Sequence, residues 1–508
     1  MATPSEKLAQ SLEILKKLQD QGVVAIRSKD MTRTHRERLL KNGFLQNVMK
    51  GWYIPTRPDE NTGESTAWYT SFWSFCTAYL TSRFGDEWSL SPEQSLLLHA
   101  GNKTVPNQLL IRATKGSNNV TQLPFNTSLL DIRGALPANI EVTETEGLHL
   151  FSLPIALIEC SPNFFRQYPT DARAALSMIR DASEILGHLL EGGHSTIAGR
   201  LAGAFRNIGR ERIANNIVET MRSAGYEFCE DDPFENKPPI LLPPRELSAY
   251  VNRIRLMWQE MRQPIIDNFP SPPAITHDIE KYMKNVEDAY ITDAHNSLSI
   301  EGYHVSPELI DRARKGNWNP DNNINDRENR NALAARGYWQ AYQAVRASLE
   351  QILQGKNAGD VTDEDHGAWY REMFAPGVTA GILKPSDLAG YRNGPVYIRR
   401  SMHVPPNREA VRDAMPAFFD LLREEPSPAV RVVLGHFTFV YIHPYMDGNG
   451  RMGRFLMNTM LASGGYQWTV VPVERRSDYM SALEEASVRQ NIIPFSKFLA
   501  DLVTNNKK

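Results

Sequence analysis

Three things are scarce in this 508-residue chain: cysteine, long apolar runs and net charge. The cysteines, Cys76, Cys160 and Cys229, lie far apart and match no metal-ligand or disulfide-framework spacing, so they read as reduced thiols. No apolar stretch approaches the roughly 18–20 residues that a bilayer-spanning helix needs. The N-terminus has no continuous apolar core of the signal-peptide kind. A cytoplasmic location without a membrane partner is therefore expected. A net charge of -3 excludes a uniformly basic nucleic-acid coat. It leaves room for a local one: residues 1–57 hold eleven Lys or Arg against five Asp or Glu, so the remaining chain sums to -9.

Apolar material is plentiful. At 41% hydrophobic and 23% charged residues, the chain can bury several cores, and its length suits two to four domains. Residues 5–20 place Leu8, Leu12, Leu15 and Leu18 at helical spacing. Thr32 can cap a short basic helix that ends at Asn42-Gly43. Two strand-like pieces then flank Lys50-Gly51. Helix, basic helix and small hairpin is the order of a winged helix-turn-helix, expected over residues 1–60. Residues 61–235 read as a mixed α/β scaffold or partner domain, with strands at 96–100, 108–112 and 148–152 and helices at 170–186 and 208–225. Residues 231–244 hold five prolines and read as a linker, within a proline-rich stretch with a helix at 236–274. Residues 275–508 read as mainly helical, except for alternating apolar residues and glycines at 390–406 that suggest a hairpin. The fold class expected is mainly α and multidomain.

The chemistry concentrates in His443-Pro-Tyr-Met-Asp-Gly-Asn-Gly-Arg-Met-Gly-Arg454. An apolar helix over 432–442 must end at His443, because a residue before proline resists the α region. Asp447-Gly-Asn-Gly450 is a tight turn, and a new helix follows. A glycine-rich turn opening a helix aims several backbone N–H groups at one point, where the helix dipole favours an anion. Arg451 and Arg454 add charge-assisted donors. Asp447 offers a carboxylate of the kind that holds Mg²⁺ beside phosphates. His443 can accept a proton from an attacking hydroxyl. This inventory suits phosphoryl or nucleotidyl transfer.

The run resembles the signature of the Fic family, His-Pro-Phe-x-(Asp/Glu)-Gly-Asn-Gly-Arg-x-x-Arg, with Tyr445 in the Phe position. The resemblance extends over about 275–502, and it implies an all-α Fic core with a β-hairpin flap. It implies a protein adenylyltransferase that moves AMP from ATP onto a Ser, Thr or Tyr hydroxyl of a target protein, with His443 as base. It also implies that Asp447 holds Mg²⁺ and that Gly448, Asn449 and Gly450 form the anion hole. Arg451 would position the phosphates and Arg454 would hold the γ-phosphate. Met452 and Gly453 count among the ATP-binding residues, and Tyr479 would border the adenine. Val488 stands where some relatives place an adenine-contacting Asn. The flap at Val396, Tyr397 and Ile398 would pin the target by strand pairing.

Upstream, Ser297-Leu-Ser-Ile-Glu301-Gly302, on a helix near 285–302, resembles the family's inhibitory motif (Ser/Thr)-x-x-x-Glu-(Gly/Asn). The resemblance implies that Glu301 reaches Arg454 and competes with the γ-phosphate. The first 57 residues resemble the winged helix of abortive-infection-type antitoxins. Arg33, Arg36 and Lys41 would then contact DNA, or the module binds a protein. Three alternatives remain open: a DNA-binding regulator whose Fic domain senses nucleotide, a Fic enzyme that removes AMP, and transfer of another group. A homo-oligomer is compatible with all of them.

Overall fold

A computed structural model describes residues 3–58, 64–137, 140–143, 146–234, 248–273, 278–316 and 330–505. The chain divides into two compact units, residues 1–253 with Tyr397–Val404, and Ile254–Val396 with Pro405–Lys508. Most of the linker expected at 231–244 lies outside the described residues.

The first unit opens with helix α1 (Pro4–Asp20), started by a capping box between Thr3 and Glu6. Strand β1 (Ile26–Arg27), helix α2 (Arg33–Lys41) and strands β2 (Leu45–Met49) and β3 (Trp52–Pro55) follow. The three strands form an antiparallel sheet in the order β1-β3-β2. The expected order of helix, basic helix and hairpin is present. Thr32 is the N-cap of α2, but its side chain makes no capping hydrogen bond.

Helix α3 (Thr66–Phe84) leads into a second sheet of β4 (Trp88–Leu90), β5 (Gln108–Ala113), β6 (Val120–Gln122) and β7 (Ser128–Arg133), in the order β4-β5-β7-β6. Strands β8 (Ile140–Val142) and β9 (His149–Phe151) pair as a third sheet. The strands expected at 108–112 and 148–152 are therefore present. Residues 96–100 are not a strand: they close helix α4 (Pro92–His99), because Ser91 caps the Gln94 N–H and Pro92 pre-sets the first turn. Its leucines pack as a helix face. Six helices follow: α5 (Leu153–Glu159), α6 (Asn163–Gln167), α7 (Pro169–Ser177), α8 (Ser183–Glu191), α9 (Ser195–Asn207) and α10 (Glu211–Ser223). The single helix expected over 170–186 is broken between α7 and α8. There Glu184 takes the Arg180 and Asp181 N–H groups and Asp181 takes that of Ser183, so side chains replace the helical ladder.

The second unit is helical: α11 (Ala249–Asn268), α12 (Ile279–Ile300), α13 (Pro307–Arg314), α14 (Arg330–Leu353), α15 (Ala358–Thr379), α16 (Arg408–Glu424), α17 (Pro428–Ile442), α18 (Asn449–Ser463), α19 (Arg476–Arg489) and α20 (Ile493–Asn505). From Ala429 to Ile442 every residue of α17 but Arg431 is buried, as its apolar sequence requires. Helices α14 and α15 approach so closely that a β-carbon on Gly337 would overlap the Met373 carbonyl. Ala would gain about 1 kcal/mol of helix propensity there, but the rigid backbone opposite cannot withdraw. The substitution Gly337→Ala is expected to destabilise the protein by ~2–3 kcal/mol, measured by denaturant unfolding. An unchanged or raised stability would refute this packing.

Candidate active site

Helix α17 ends at His443, a C-cap whose φ of 55° is left-handed. Gly448, at φ 81°, caps α18 and lies 2.9 Å, measured from an added β-carbon, from the Phe374 ring. The turn between them is held by Asn449. Its amide accepts from the Tyr445 N–H at 2.9 Å and donates to the Tyr445 carbonyl at 2.8 Å. The Asn449 side chain therefore builds the turn. The unsatisfied N–H groups that open α18 belong to Asn449, Gly450 and Arg451.

The half-buried His443 ring has Nδ1 3.1 Å from the Val440 carbonyl, so Nδ1 carries the proton and Nε2 is left as acceptor. Burial, against the Val440 bond that opposes it, holds the imidazole down at about 4, so the ring is neutral at physiological pH. Arg392, which sequence reasoning missed, fixes this end of α17. Its buried guanidinium donates to the carbonyls of His443 (2.7 Å), Gly394 (3.2 Å), Ile442 (3.4 Å) and Pro406. Burial lowers its pKa to about 10. Nothing around Arg392 in the sequence marks it, because its partners are backbone atoms up to 51 residues away.

Asp447 is exposed, accepts from the Gly448 N–H at 2.6 Å and lies 3.4 Å from Arg451. Arg451 is buried between the rings of Tyr303 and Phe374, at 5.3 and 5.2 Å from their centroids. Arg454 is 3% exposed. Its Nε donates to the Ser297 hydroxyl at 2.9 Å, and its Nη2 to the Ser297 carbonyl at 3.0 Å and to Glu301 at 2.7 Å. Its Nη1 is buried without a hydrogen-bond partner among the described residues. Burial opposes the charge on Arg454, but Glu301, Tyr479 and Tyr338 together outweigh it and the pKa is raised.

Glu301 caps the C-terminus of α12, and Gly302 follows at φ 86°. A β-carbon on Gly450 would overlap the Glu301 carboxylate, so that carboxylate covers the second residue of α18, where an anion is most favoured. Helix α12 is fastened close by: Asn296 accepts from the Val473 N–H at 2.8 Å, and Arg476 donates to the Ile300 carbonyl at 2.7 Å.

Of the other expected site residues, Tyr479 lies within electrostatic reach of Arg454 and Glu301. Met452 is buried in the core and its N–H bonds to the Gly448 carbonyl. Gly453 lets α18 close on Val440 and His436. Both build the helix and do not face its open end. Tyr479 is 1% exposed, 2.7 Å from His436 Nε2, and packs on Phe495 and Phe498. The hairpin expected at 390–406 is not formed. Prolines 395, 405 and 406 have no N–H to donate, and Arg392 takes the carbonyls that a ladder would use. Val396 is buried in the second unit, whereas exposed Tyr397 and half-buried Ile398 belong to the first. In the first unit, Arg33 is paired with Glu37. Arg36 donates to the Ser28 carbonyl and lies over the Tyr53 ring, while Lys41 is exposed.

A left-handed histidine and a helix N-terminus thus bracket one turn in a helical unit, with two buried arginines on the second helix. Residues 362–461 match the Fic/DOC family, and the chain carries a Fic domain. It is 28% identical over 272 residues to the protein adenylyltransferase Fic of Drosophila willistoni, covering 52% of this chain and 51% of that protein. The Drosophila melanogaster protein of the same name is 27% identical over 272 residues, with 52% and 51% covered. The chain thus spans about half the length of the curated relatives it matches. Among solved structures, Fic-1 (residues 134–508) from C. elegans aligns with 64% of this chain and 90% of its own, at 18% identity and a TM-score of 0.37.

The His443 environment makes a direct prediction. An NMR titration is expected to find this imidazole protonating near pH 4, so that no change of charge occurs between pH 6 and 8. A midpoint above pH 6 would refute the burial argument.

Proposed function

We propose that this protein is an adenylyltransferase that moves AMP from ATP to a hydroxyl of a target protein and is held off by Glu301. The observation that carries the reading is the Glu301 carboxylate lying over Gly450 and bonded to Arg454. A negative charge already sits where the helix terminus and the guanidinium favour one, so the site is built for an anion. The partnerless Nη1 of Arg454 has the donor that a phosphate oxygen would take.

His443, neutral and with Nε2 free to accept, takes the proton of the target hydroxyl as its oxygen attacks the α-phosphorus of ATP and pyrophosphate leaves. The N–H groups opening α18 and Arg451 hold the phosphates, and Arg454 holds the γ-phosphate after Glu301 withdraws. Asp447, exposed beside the turn, is the residue that would hold Mg²⁺, together with phosphate oxygens. The metal would neutralise charge on the phosphates. The N-terminal module offers exposed Lys41 and the paired Arg33 to nucleic acid or protein, and a salt-sensitive shift of duplex DNA would separate the two.

With labelled ATP, Glu301→Gly is expected to raise self-modification about tenfold or more, because the competing carboxylate is gone. Equal labelling of mutant and parent would remove the brake. In the Glu301→Gly background, His443→Ala is expected to lower transfer by roughly 10²–10⁴-fold while calorimetric ATP binding persists. Undiminished transfer would take His443 out of its role.

A further inference from the structure

Helix α12 carries three polar residues at i, i+4 and i+8, Asp293, Ser297 and Glu301, and so presents them on one face. The last two grip Arg454 directly. Asp293, one turn deeper, is 4% exposed. Its carboxylate accepts from the Tyr338 hydroxyl of α14 at 2.6 Å. Tyr338 is fully buried, packs on Phe455 of α18 and shares its hydroxyl environment with Ser297. Asp293 and Tyr338 thus lie behind Ser297, within electrostatic reach of the Arg454 charge. Both lie on the α12 side of the guanidinium, while Nη1 has no hydrogen-bond partner among the described residues.

We propose that Asp293 and Tyr338 are positioning residues for Arg454 that keep its guanidinium aimed at the nucleotide's terminal phosphate once Glu301 has left. The inference rests on the reading of Arg454 as a phosphate ligand. It separates two carboxylates on one helix by role. Glu301 competes with the phosphate, so its removal helps nucleotide binding. Asp293 supports the same cation from behind, so its removal hinders binding.

A buried carboxylate bonded to a hydroxyl is a poor stabiliser of the fold. Burial raises the Asp293 pKa to about 6, against the Tyr338 bond and the Arg454 charge, which lower it. The folded chain therefore binds the proton more tightly than the unfolded chain, whose carboxyl has the ordinary value of 3.8. Stability falls as pH rises through that window, and at pH 8 the ionised group is a net burden. The other titratable groups around it are Tyr290 on α12, Tyr338 and Tyr342 on α14, and Arg454 on α18. Each tyrosine pKa is raised by burial, so all three stay neutral across the working range. Arg454 stays charged, so Asp293 is the group in this cluster that titrates near pH 6.

The test uses full-length Glu301→Gly protein as parent, with Mg·ATP as ligand. Adding Asp293→Asn is expected to raise the ATP dissociation constant and KM about tenfold, the scale of one buried network coupling. The kcat should change less, and at pH 8 the unfolding temperature should be equal or higher. ATP affinity of the parent should fall as pH drops through 6, and the Asn variant should lack that dependence. Tyr338→Phe, which keeps the ring and removes the hydroxyl, should raise KM in the same direction. Unchanged affinity in both variants would overturn the inference, and so would weaker binding accompanied by a fall of several degrees in unfolding temperature. No ATP binding by the parent itself would overturn the reading of Arg454 and the inference with it.

Discussion

Arg454 is a permanent cation placed where water cannot reach it, and the geometry around it follows from the need to neutralise that charge. A guanidinium this deep must be satisfied by hydrogen bonds and by a counter-charge. Helix α12 supplies both, through the Ser297 hydroxyl, the Ser297 carbonyl and the Glu301 carboxylate. This requirement explains why α12, about 150 residues upstream, ends where it does. Its C-cap must bring a carboxylate onto the N-terminus of α18, and Gly302 must turn the chain away with positive φ. The carboxylate that neutralises Arg454 therefore also occupies the N-terminus of α18.

The turn between α17 and α18 obeys a different constraint. Its shape depends on Asn449, whose amide closes both ends of the Tyr445 peptide, and on Arg392, which collects the carbonyls that the end of α17 leaves open. Neither side chain has to meet a ligand. The backbone they hold is what presents His443, with its proton on Nδ1, and the N–H groups of Asn449, Gly450 and Arg451. The site is thus made of main-chain geometry supported by buried polar side chains, with two buried arginines beneath it and one exposed acid at its rim.

The N-terminal unit shows how a motif's surroundings change its meaning. Arg36 and Arg38 belong to a helix that reads as a basic recognition element, yet both donate to the unit's own backbone, at the Ser28 and Lys7 carbonyls. The excess of positive charge in the first 57 residues is partly spent on holding α2 in place. Segment 390–406 makes a similar point. Its alternation suits a hairpin, but Tyr397–Val404 belongs to the first unit, where Arg399 and Arg400 share the buried Glu64.

Much of the site was legible in the sequence because its parts are local. The proline after His443, the glycines of the turn and the helical spacing of Arg451 and Arg454 act within one or two turns of backbone, where sterics and hydrogen bonding leave few choices. The helical nature of the second half followed from periodicity for the same reason. Local pattern failed where an equally local signal competed, as at residues 96–100, where the cap at Ser91 made a helix of a strand-like run. It was silent wherever two distant segments had to meet. That Glu301 reaches Arg454 was implied by family resemblance, but the burial of Arg392, the pairing of Asp293 with Tyr338 and the close packing of Gly453 on Val440 and His436 have no local mark. Those were decided by the tertiary structure, because burial and long-range hydrogen bonding depend on which helices share a core.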